Sequence, residues 1–262
     1  MTRTLGLIGS GMIGSAIARL AIGAGLDVVL SNSSGPASLD PLVAELGSRA
    51  RASTTSEAAK AGDIVVATIP LSAYKSLPAD AADGKVVIDT MNYYPQRDGR
   101  IAELDSFAST SSELVQRHLE RSRIVKTFNN IDFQRLFTLA RPSGSDERSA
   151  VPIAGNDEEA KSDVASLLDL LGYDSVDIGT LAESWRSEPE TPVYVKPYFP
   201  TQPPEGVTPE EAYRWFTETT GVPVSAATVR GLVDGTERGA AGGYVPEDVS
   251  SLRTDADRNW NE

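Results

Sequence analysis

The chain of 262 residues contains no cysteine and only one histidine, His118. These absences exclude disulfide bonds, thiol nucleophiles and zinc sites built from Cys and His, and we expect no metal site. No apolar run approaches the roughly 18 residues of a membrane-spanning helix. Four glycines interrupt the apolar N-terminus, MTRTLGLIGSGMIG, so we interpret it as structure and not as a signal peptide. We therefore expect a soluble, cytoplasmic protein with no membrane partner.

The formal net charge is −13, which argues against nucleic acid or an anionic membrane as a partner. The charge is unevenly distributed. Residues 1–145 carry 15 Lys and Arg against 14 Asp and Glu, a balance of +1, whereas residues 146–262 carry 9 against 23, a balance of −14. The net negative charge therefore belongs to the C-terminal part, and the N-terminal part does not repel its ligand by an excess of negative charge.

Short apolar runs alternate with amphipathic segments along the first two thirds of the chain. We predict strands at 4–8, 27–30, 63–69, 85–89, 123–128, 150–154 and 175–178, and helices at 11–24, 36–46, 56–60, 110–120 and from a cap at Asn156 onward. This alternation predicts an α/β fold with a Rossmann-type, doubly wound and mostly parallel sheet over residues 1–185.

After about Trp185 the alternation ends. Residues 188–209 include seven prolines, and beyond Trp185 only Pro209–Thr219 has a helical pattern. We expect residues 186–262 to be an acidic, proline-rich extension that packs on the domain, wraps a partner subunit or is partly disordered. Its aromatic residues, and Trp185 just before it, are more typical of a core or a subunit interface than of a ligand site.

A glycine-rich motif, G-x-G-x-x-G, follows the first predicted strand and opens the first predicted helix. Its members are Gly9, Ser10, Gly11, Met12, Ile13 and Gly14. In a dinucleotide-binding fold the first glycine permits a tight turn, the second lets backbone approach the pyrophosphate, and the third lets helix pack on strand. The phosphates then lie on free amides at the helix N-terminus. The alternative is a glycine-rich turn that binds nothing.

The end of the second strand indicates which nucleotide is bound. NAD-binding folds place Asp or Glu there, on the ribose 2′-hydroxyl, but this chain has no acidic residue between Leu30 and Asp40. A 2′-phosphate would meet the polar groups of Ser31, Asn32 and Ser33, which favours NADP(H). Arg49 and Arg51 either reach the adenine edge or are solvated surface charges.

Residues 126–130 end the strand predicted at 123–128, at the carboxyl edge where open α/β sheets bind ligands. Lys126 could anchor an anionic or carbonyl substrate, with Asn129 and Asn130 as hydrogen-bonding groups. The alternative gives Lys126 an ion pair on the surface and Asn129 a role as helix cap. Tyr93, with Tyr94 beside it, could form an aromatic wall or supply a proton, although one of two adjacent tyrosines is expected to be packed.

Other acid–base groups are scarce. No tyrosine is followed four residues later by lysine, so the short-chain dehydrogenase pair is absent, and we interpret His118 as a solvated residue at a helix end. Arg97 and Arg100 either contact a phosphate or carboxylate of a second ligand or are solvated loop charges. This scarcity favours a partner such as a flavin, for which the protein supplies little of the chemistry.

Four segments, GSGMIGSAIARLAIGAG, SNSSGP, DIVVATIP and VVIDTMNYYPQRDG, resemble the NADPH-dependent F-420 reductases and their bacterial relatives. The wider clan includes pyrroline-5-carboxylate reductase and the reductase domain of the STEAP metalloreductases. The resemblance covers roughly residues 1–185. It implies that Ser31, Asn32 and Ser33 hold the 2′-phosphate, where close relatives have Arg in place of Ser34. It also implies that Ile69, Pro70, Met91 and Asn92 lie beside the nicotinamide.

The resemblance further implies a homodimer and hydride transfer between NADP(H) and a small-molecule acceptor, F-420 or a flavin. The archaeal F-420 enzymes do not have NYYPQRDG at this place, so the second substrate is open. Two alternatives stand beside this function. The protein could reduce a small imine or carbonyl compound with NADPH, or it could bind NADP(H) as a sensor without turnover.

Overall fold

The computed structural model describes residues 3–202 and 206–244, and an eight-stranded sheet lies at its centre. The order across the sheet is β3-β2-β1-β4-β5-β6-β7-β8. The strands are β1 Thr4–Ile8, β2 Asp27–Ser31, β3 Ala50–Ala52, β4 Ile64–Ala67, β5 Val86–Asp89, β6 Arg123–Lys126, β7 Ala150–Gly155 and β8 Asp174–Asp177. Strands β1 to β6 are parallel, β7 is antiparallel to β6, and β8 is parallel to β7. The predicted Rossmann-type fold is confirmed.

Helices cover both faces of this sheet, and each face has its own apolar cluster. The helices are α1 Met12–Gly23, α2 Asp40–Leu46, α3 Thr55–Ala61, α4 Pro95–Asp98, α5 Ala102–Asp105, α6 Ser111–His118, α7 Phe133–Thr138, α8 Glu158–Leu171, α9 Pro209–Glu218 and α10 Ala226–Asp234. Short 3-10 helices occupy 36–39, 71–76, 79–81, 181–187 and 196–198. None of the helices in the described ranges is both long and apolar enough to cross a membrane.

Several local predictions need correction. The cap of α8 is Asp157, whose side chain accepts the Ala160 amide at 2.7 Å, and the Asn156 side chain instead accepts the Leu181 amide at 3.0 Å. The predicted helix at 36–46 divides into a 3-10 turn and α2. The pattern also missed β3, α4, α5, α7 and α10. All of these except α10 have six residues or fewer, which is too few to show a period.

The described part of the extension packs onto the sheet. Val193, Tyr198, Val229 and Val233 are buried in the same apolar cluster as β7 and α8. The Tyr198 hydroxyl donates to the Ala150 carbonyl at 2.9 Å. The rest of the extension, residues 203–205 and 245–262 with the polar end of the chain, lies outside the described residues.

Candidate dinucleotide and acceptor site

The three glycines of the motif have three different surroundings. Gly9 has a φ of 98°, and a Cβ there would lie 2.7 Å from the Thr68 carbonyl oxygen. A Cβ on Gly14 would lie 2.2 Å from the Gly9 carbonyl oxygen. A Cβ on Gly11 would meet nothing within 4 Å, so the space before this residue is open. Gly9 and Gly14 thus close the turn, and Gly11 leaves a gap that a phosphate can enter.

Helix α1 begins directly behind this gap. Its N-cap is Gly11, which supplies no side-chain cap, and its first turn contains no acidic residue. The first amides and the positive end of the helix dipole therefore favour an anion at this position. Hydrogen bonds from the Ser10 hydroxyl to the Ser31 carbonyl and from the Ser15 hydroxyl to the Ser10 carbonyl, both 3.0 Å, fix the loop. Residues 9–14, including Met12 and Ile13 in the first turn, fit a pyrophosphate.

Ser31 does not have the role expected from the sequence. Its side chain is fully buried, and its hydroxyl donates to the Leu7 carbonyl at 2.9 Å. A 2′-phosphate would therefore not reach this hydroxyl. The Ser31 carbonyl instead accepts the Gly9 amide at 3.0 Å, so the residue shapes the glycine turn.

The rest of the loop after β2 is polar and open to solvent. The Asn32 side chain accepts the Ser34 amide at 3.1 Å and donates to the Ser38 hydroxyl at 2.8 Å, and Ser33 and Ser34 are exposed. Hydroxyls and amides without a nearby carboxylate fit a 2′-phosphate, as expected for NADP(H).

The two arginines near this loop lie in different places. Arg49 donates to the Gly25 carbonyl at 3.0 Å and pairs with Asp27 at 3.4 Å, at the amino end of β2. The nucleotide would lie at the opposite edge, so a contact from Arg49 to the adenine is excluded. Arg51 is exposed on β3, so both alternatives for it, a contact with the adenine edge or a solvated surface charge, remain.

The loop after β4 lies beside the glycine loop, and the loop after β5 follows the next strand of the sheet. The Thr68 hydroxyl donates to the Gly9 carbonyl at 2.6 Å, which joins the loop after β4 to the glycine loop. Next in this loop, Ile69 is half-buried and Pro70 is exposed. Met91 differs from expectation, since its side chain is 2% exposed and belongs to the apolar core. Only its backbone is available to line a site. Asn92 is half-buried at the surface of the loop.

Lys126 is fully buried, which differs from both alternatives considered for it. Its ammonium lies 3.3 Å from the Asp89 carboxylate and 3.2 Å from the Ser111 hydroxyl, and it also donates to the Met91 carbonyl. An ammonium has three protons to donate, and these three partners account for them. Lys126 therefore holds the loop after β5 from its buried side and is not exposed to a substrate.

The two asparagines after β6 are structural. Asn130 is fully buried and donates to the Val193 carbonyl at 3.1 Å and the Tyr198 hydroxyl at 3.0 Å, which ties the extension to β6. Asn129 is 3% exposed and donates to the Ser187 carbonyl at 2.7 Å and the Asn92 side chain at 3.1 Å. Neither side chain caps a helix, and the cap of α7 is Asp132.

The adjacent tyrosines point in different directions. Tyr93 is completely buried, and its hydroxyl donates to Asp105 at 3.1 Å and accepts the Ile101 amide at 2.9 Å. Burial raises the pKa of Tyr93, so this phenol is a poor proton donor at neutral pH. Tyr94 is half-buried instead, and its hydroxyl contacts the Tyr194 hydroxyl of the extension.

The other charged candidates are held by the protein. Arg97 forms a bidentate pair with Asp98, both contacts 2.8 Å, and donates to the Asn92 carbonyl at 2.8 Å. Burial alone would raise the pKa of Asp98, but the hydrogen bonds from Arg97 and from the Tyr94 amide lower it overall. Arg100 is exposed and lies 3.6 Å from Asp105.

The interpretation of His118 as a solvated residue needs correction. It is half-buried, and its Nε2 lies 2.9 Å from the Leu77 carbonyl oxygen, so the ring takes part in the packing of α6. The imidazole lies edge-on against the Tyr74 ring, with ring centroids 5.9 Å apart. It has no contact with the glycine loop.

Sequence reasoning missed several residues of this edge of the sheet. The group comprises Asp89, Ser111, Ser112, Ser187, Glu188 and Tyr194. Ser112 donates to Asp89 at 2.7 Å, and Ser111 donates to Glu188. Asp89 carried a signal, because a carboxylate at the end of a buried strand requires a partner. The extension residues carried none, because nothing in their spacing indicates where a proline-rich chain returns to the sheet.

Comparisons with known proteins agree with this geometry. Residues 4–93 match the family described as NADP oxidoreductase, coenzyme F420-dependent. Rat metalloreductase STEAP3 is 28% identical over 188 residues, which cover 70% of this chain and 35% of that protein. The matches span less than half the length of the curated relatives.

Solved structures show the same fold. A hypothetical protein from Sinorhizobium meliloti has a TM-score of 0.65 and 28% identity over 74% of this chain and 93% of its own. A structure from Arthrobacter, described as an F420-dependent NADP reductase, has a TM-score of 0.60 and 21% identity over 70% of this chain and 87% of its own. The resemblance drawn from the sequence is thus confirmed: residues 4–93 match the model of the coenzyme F420-dependent NADP oxidoreductases.

Proposed function

We propose that this protein is an oxidoreductase that transfers a hydride between NADP(H) and a deazaflavin or flavin acceptor. The observation that carries the proposal is the open space before Gly11 at the N-terminus of α1, next to a β2 loop without a carboxylate. The family match over residues 4–93 supports the same nucleotide. The acceptor is inferred from the family description and from the side chains at the carboxyl ends of β5 and β6.

Different segments of the chain bind different parts of NADP(H). Residues 9–14 bind the pyrophosphate, and the Asn32, Ser33 and Ser34 loop meets the 2′-phosphate. Ile69 and Asn92 line the nicotinamide side, and the loop that carries Ile69 is joined to the glycine loop through Thr68. NADPH supplies the hydride when bound, and the protein contributes position and exclusion of water.

The acceptor is also inferred from the positions of Lys126, Tyr93 and His118. Lys126 is fully paired beneath the loop, Tyr93 is buried and His118 contacts Leu77, so none of the three can protonate a substrate. A deazaflavin or flavin takes a hydride on a conjugated ring and needs less from the protein than an isolated carbonyl does.

Oxidation of NADPH, measured as the loss of its absorbance at 340 nm, tests the proposal. Purified protein is mixed with NADPH and, in separate reactions, with F-420, FMN, FAD and a panel of small imines and carbonyl compounds. We expect oxidation with the deazaflavin or a flavin. Oxidation only by an imine or carbonyl compound would favour the second function considered, and tight NADPH binding without turnover would favour a sensor.

Two further features are part of the proposal. We expect a homodimer located in the cytoplasm, with the proline- and aromatic-rich extension near the subunit interface. Light scattering at several protein concentrations measures the mass, and a monomer at all of them would exclude the dimer.

A further inference from the structure

The extension brings a second tyrosine to the carboxyl edge of the sheet. Tyr194 lies 102 residues from Asn92 in sequence, yet the Asn92 amide donates to the Tyr194 hydroxyl at 3.5 Å. The Tyr94 hydroxyl contacts the same Tyr194 oxygen. Both rings are half-buried, so each is held by the protein and still reaches its surface.

The surroundings of these two hydroxyls are built from three parts of the chain. Asn129 of the β6 loop holds the Asn92 side chain at 3.1 Å, and the Asn92 amide donates to the Asn129 carbonyl at 2.8 Å. Arg97 holds the Asn92 carbonyl at 2.8 Å, and its guanidinium lies 4.9 Å from the centre of the Tyr94 ring. The guanidinium therefore holds the Tyr94 ring in place beside Asn92.

We propose that Tyr194 and Tyr94 are catalytic residues that contact the polar edge of the acceptor ring and supply its proton. The inference rests on the proposed function, because it places the acceptor beside Asn92. A flavin-type ring presents carbonyl and ring-nitrogen acceptors along one edge, and a pair of phenols with an amide complements that edge. The extension therefore completes the acceptor site.

The proton balance of the step is as follows. The C4–H bond of NADPH breaks, and a bond to hydrogen forms at C5 of a deazaflavin or at N5 of a flavin, which leaves an electron pair on the ring nitrogen N1. Tyr194 gives its proton to that nitrogen, Tyr94 gives its proton to Tyr194, and solvent returns a proton to Tyr94. One NADPH, one acceptor and one solvent proton thus yield NADP⁺ and the reduced acceptor.

Binding of a deazaflavin tests this without turnover. The probe is 8-hydroxy-5-deazariboflavin, whose fluorescence is titrated with protein in the presence of NADP⁺. We expect Tyr194→Phe and Tyr94→Phe to weaken its binding at least fivefold, because each removes one hydroxyl and keeps the ring. Tyr213→Phe, the same change on the partly exposed face of α9, is the matched control and should bind as wild type does.

The pH profile provides a second readout. Wild-type kcat with the deazaflavin should fall at alkaline pH as the phenol pair loses its proton, and Tyr194→Phe should lower kcat at least tenfold and lose that fall. Wild-type binding, kcat and pH profile in Tyr194→Phe would overturn the inference and leave the proposed function standing. A wild-type protein that neither binds the deazaflavin nor oxidises NADPH with any acceptor would overturn both.

Discussion

The ammonium of Lys126 lies 3.3 Å from the carboxylate of Asp89, and both side chains are inaccessible to solvent. The pair joins the ends of β5 and β6, where Asp89 and Lys126 are register partners. Asp89 also accepts the Met91 amide at 2.8 Å, and Lys126 donates to the Met91 carbonyl. Two opposite charges therefore hold both backbone polar groups of one residue, Met91, in the loop that would carry the nicotinamide.

Replacing Lys126 by methionine should destabilise the protein without abolishing the chemistry of the site. The change leaves the Asp89 carboxylate buried without its cation, which costs about 3–5 kcal/mol. Urea unfolding measures this loss, and Lys75→Met, the same change at an exposed position, should have little effect. A Lys126→Met protein of unchanged stability that has lost its activity would show that Lys126 acts on the substrate.

For Lys126, the sequence predicted the position in the fold but not the contacts of the side chain. Its position at a strand end was predicted correctly, and so was the sheet edge to which it belongs. Its partners were not, because Asp89 and Ser111 are 37 and 15 residues away along the chain. A periodic pattern locates strands and helices, but the pairing of a buried charge depends on which strands become neighbours.

Replacing Gly11 by alanine should weaken nucleotide binding and leave the fold intact. The new methyl group would meet nothing in the protein, but it would occupy the space through which the phosphate approaches α1. We expect the Kd for NADPH to rise about tenfold or more, with about 1 kcal/mol or less lost in stability. Titration of NADPH fluorescence gives the Kd.

Two other glycines of the same segment are controls for this change. Gly23→Ala, at the far end of α1, also places its methyl in open space and should leave the Kd unchanged. Gly14→Ala forces a Cβ to 2.2 Å from the Gly9 carbonyl oxygen and should unfold or distort the loop. Equal NADPH affinity in Gly11→Ala and wild type would show that the pyrophosphate does not lie at this glycine.

Replacing Ser34 by arginine should increase the preference for NADPH over NADH. Ser34 is exposed in the loop after β2, so the guanidinium can reach a 2′-phosphate without disturbing packing. An exposed ion pair of about 1 kcal/mol corresponds to about a fivefold lower Kd for NADPH, with NADH unchanged. The gain should decline as salt is added.

Ser162→Arg, an exposed change on α8, controls for added positive charge. Its Kd values for both nucleotides should equal those of wild type. Tighter binding of NADH than of NADPH by the wild-type protein would contradict the assignment of the β2 loop, whatever the arginine variant does.

Glu57 makes part of the stability depend on pH. Hydrogen bonds from Thr54 and Ser53 lower the pKa of Glu57 from 4.5 to about 2 in the folded protein. A carboxylate whose pKa is lowered by folding stabilises above its unfolded pKa, and this contribution is lost as the pH falls from about 5 to about 2. The difference in Tm between wild type and Glu57→Gln should therefore be greatest near neutral pH and vanish near pH 2. A difference that is independent of pH would contradict this, and Glu120→Gln at an exposed position serves as control.

The extension was the part of the fold that the sequence could predict least. Its prolines and acidic residues left packing, subunit exchange and disorder open. The structure packs the described part onto the domain, and one buried cation holds the end of α9. Arg135 of α7 is completely buried, donates to the Phe216 and Thr219 carbonyls at 2.5 Å each, and pairs with Asp132 at 3.2 Å. Its guanidinium also lies 4.0 Å from the centre of the Phe199 ring. An arginine in an amphipathic stretch is usually solvated, so no local pattern indicated this role.

Replacing Arg135 by leucine should detach α9 and the segment that follows it. Two backbone carbonyls would lose their donor, the Asp132 carboxylate would lose its cation, and the aromatic rings on either side would lose the cation between them. Hydrogen exchange should become faster across residues 209–221 while β1 and β4 keep their protection, because the latter do not touch this cluster. Arg214→Leu, an exposed change on α9 itself, should leave exchange as it is. The substitution leaves the contact between Phe199 and Phe216 in place. Unchanged exchange in Arg135→Leu would therefore mean that apolar contacts hold the segment without the cation.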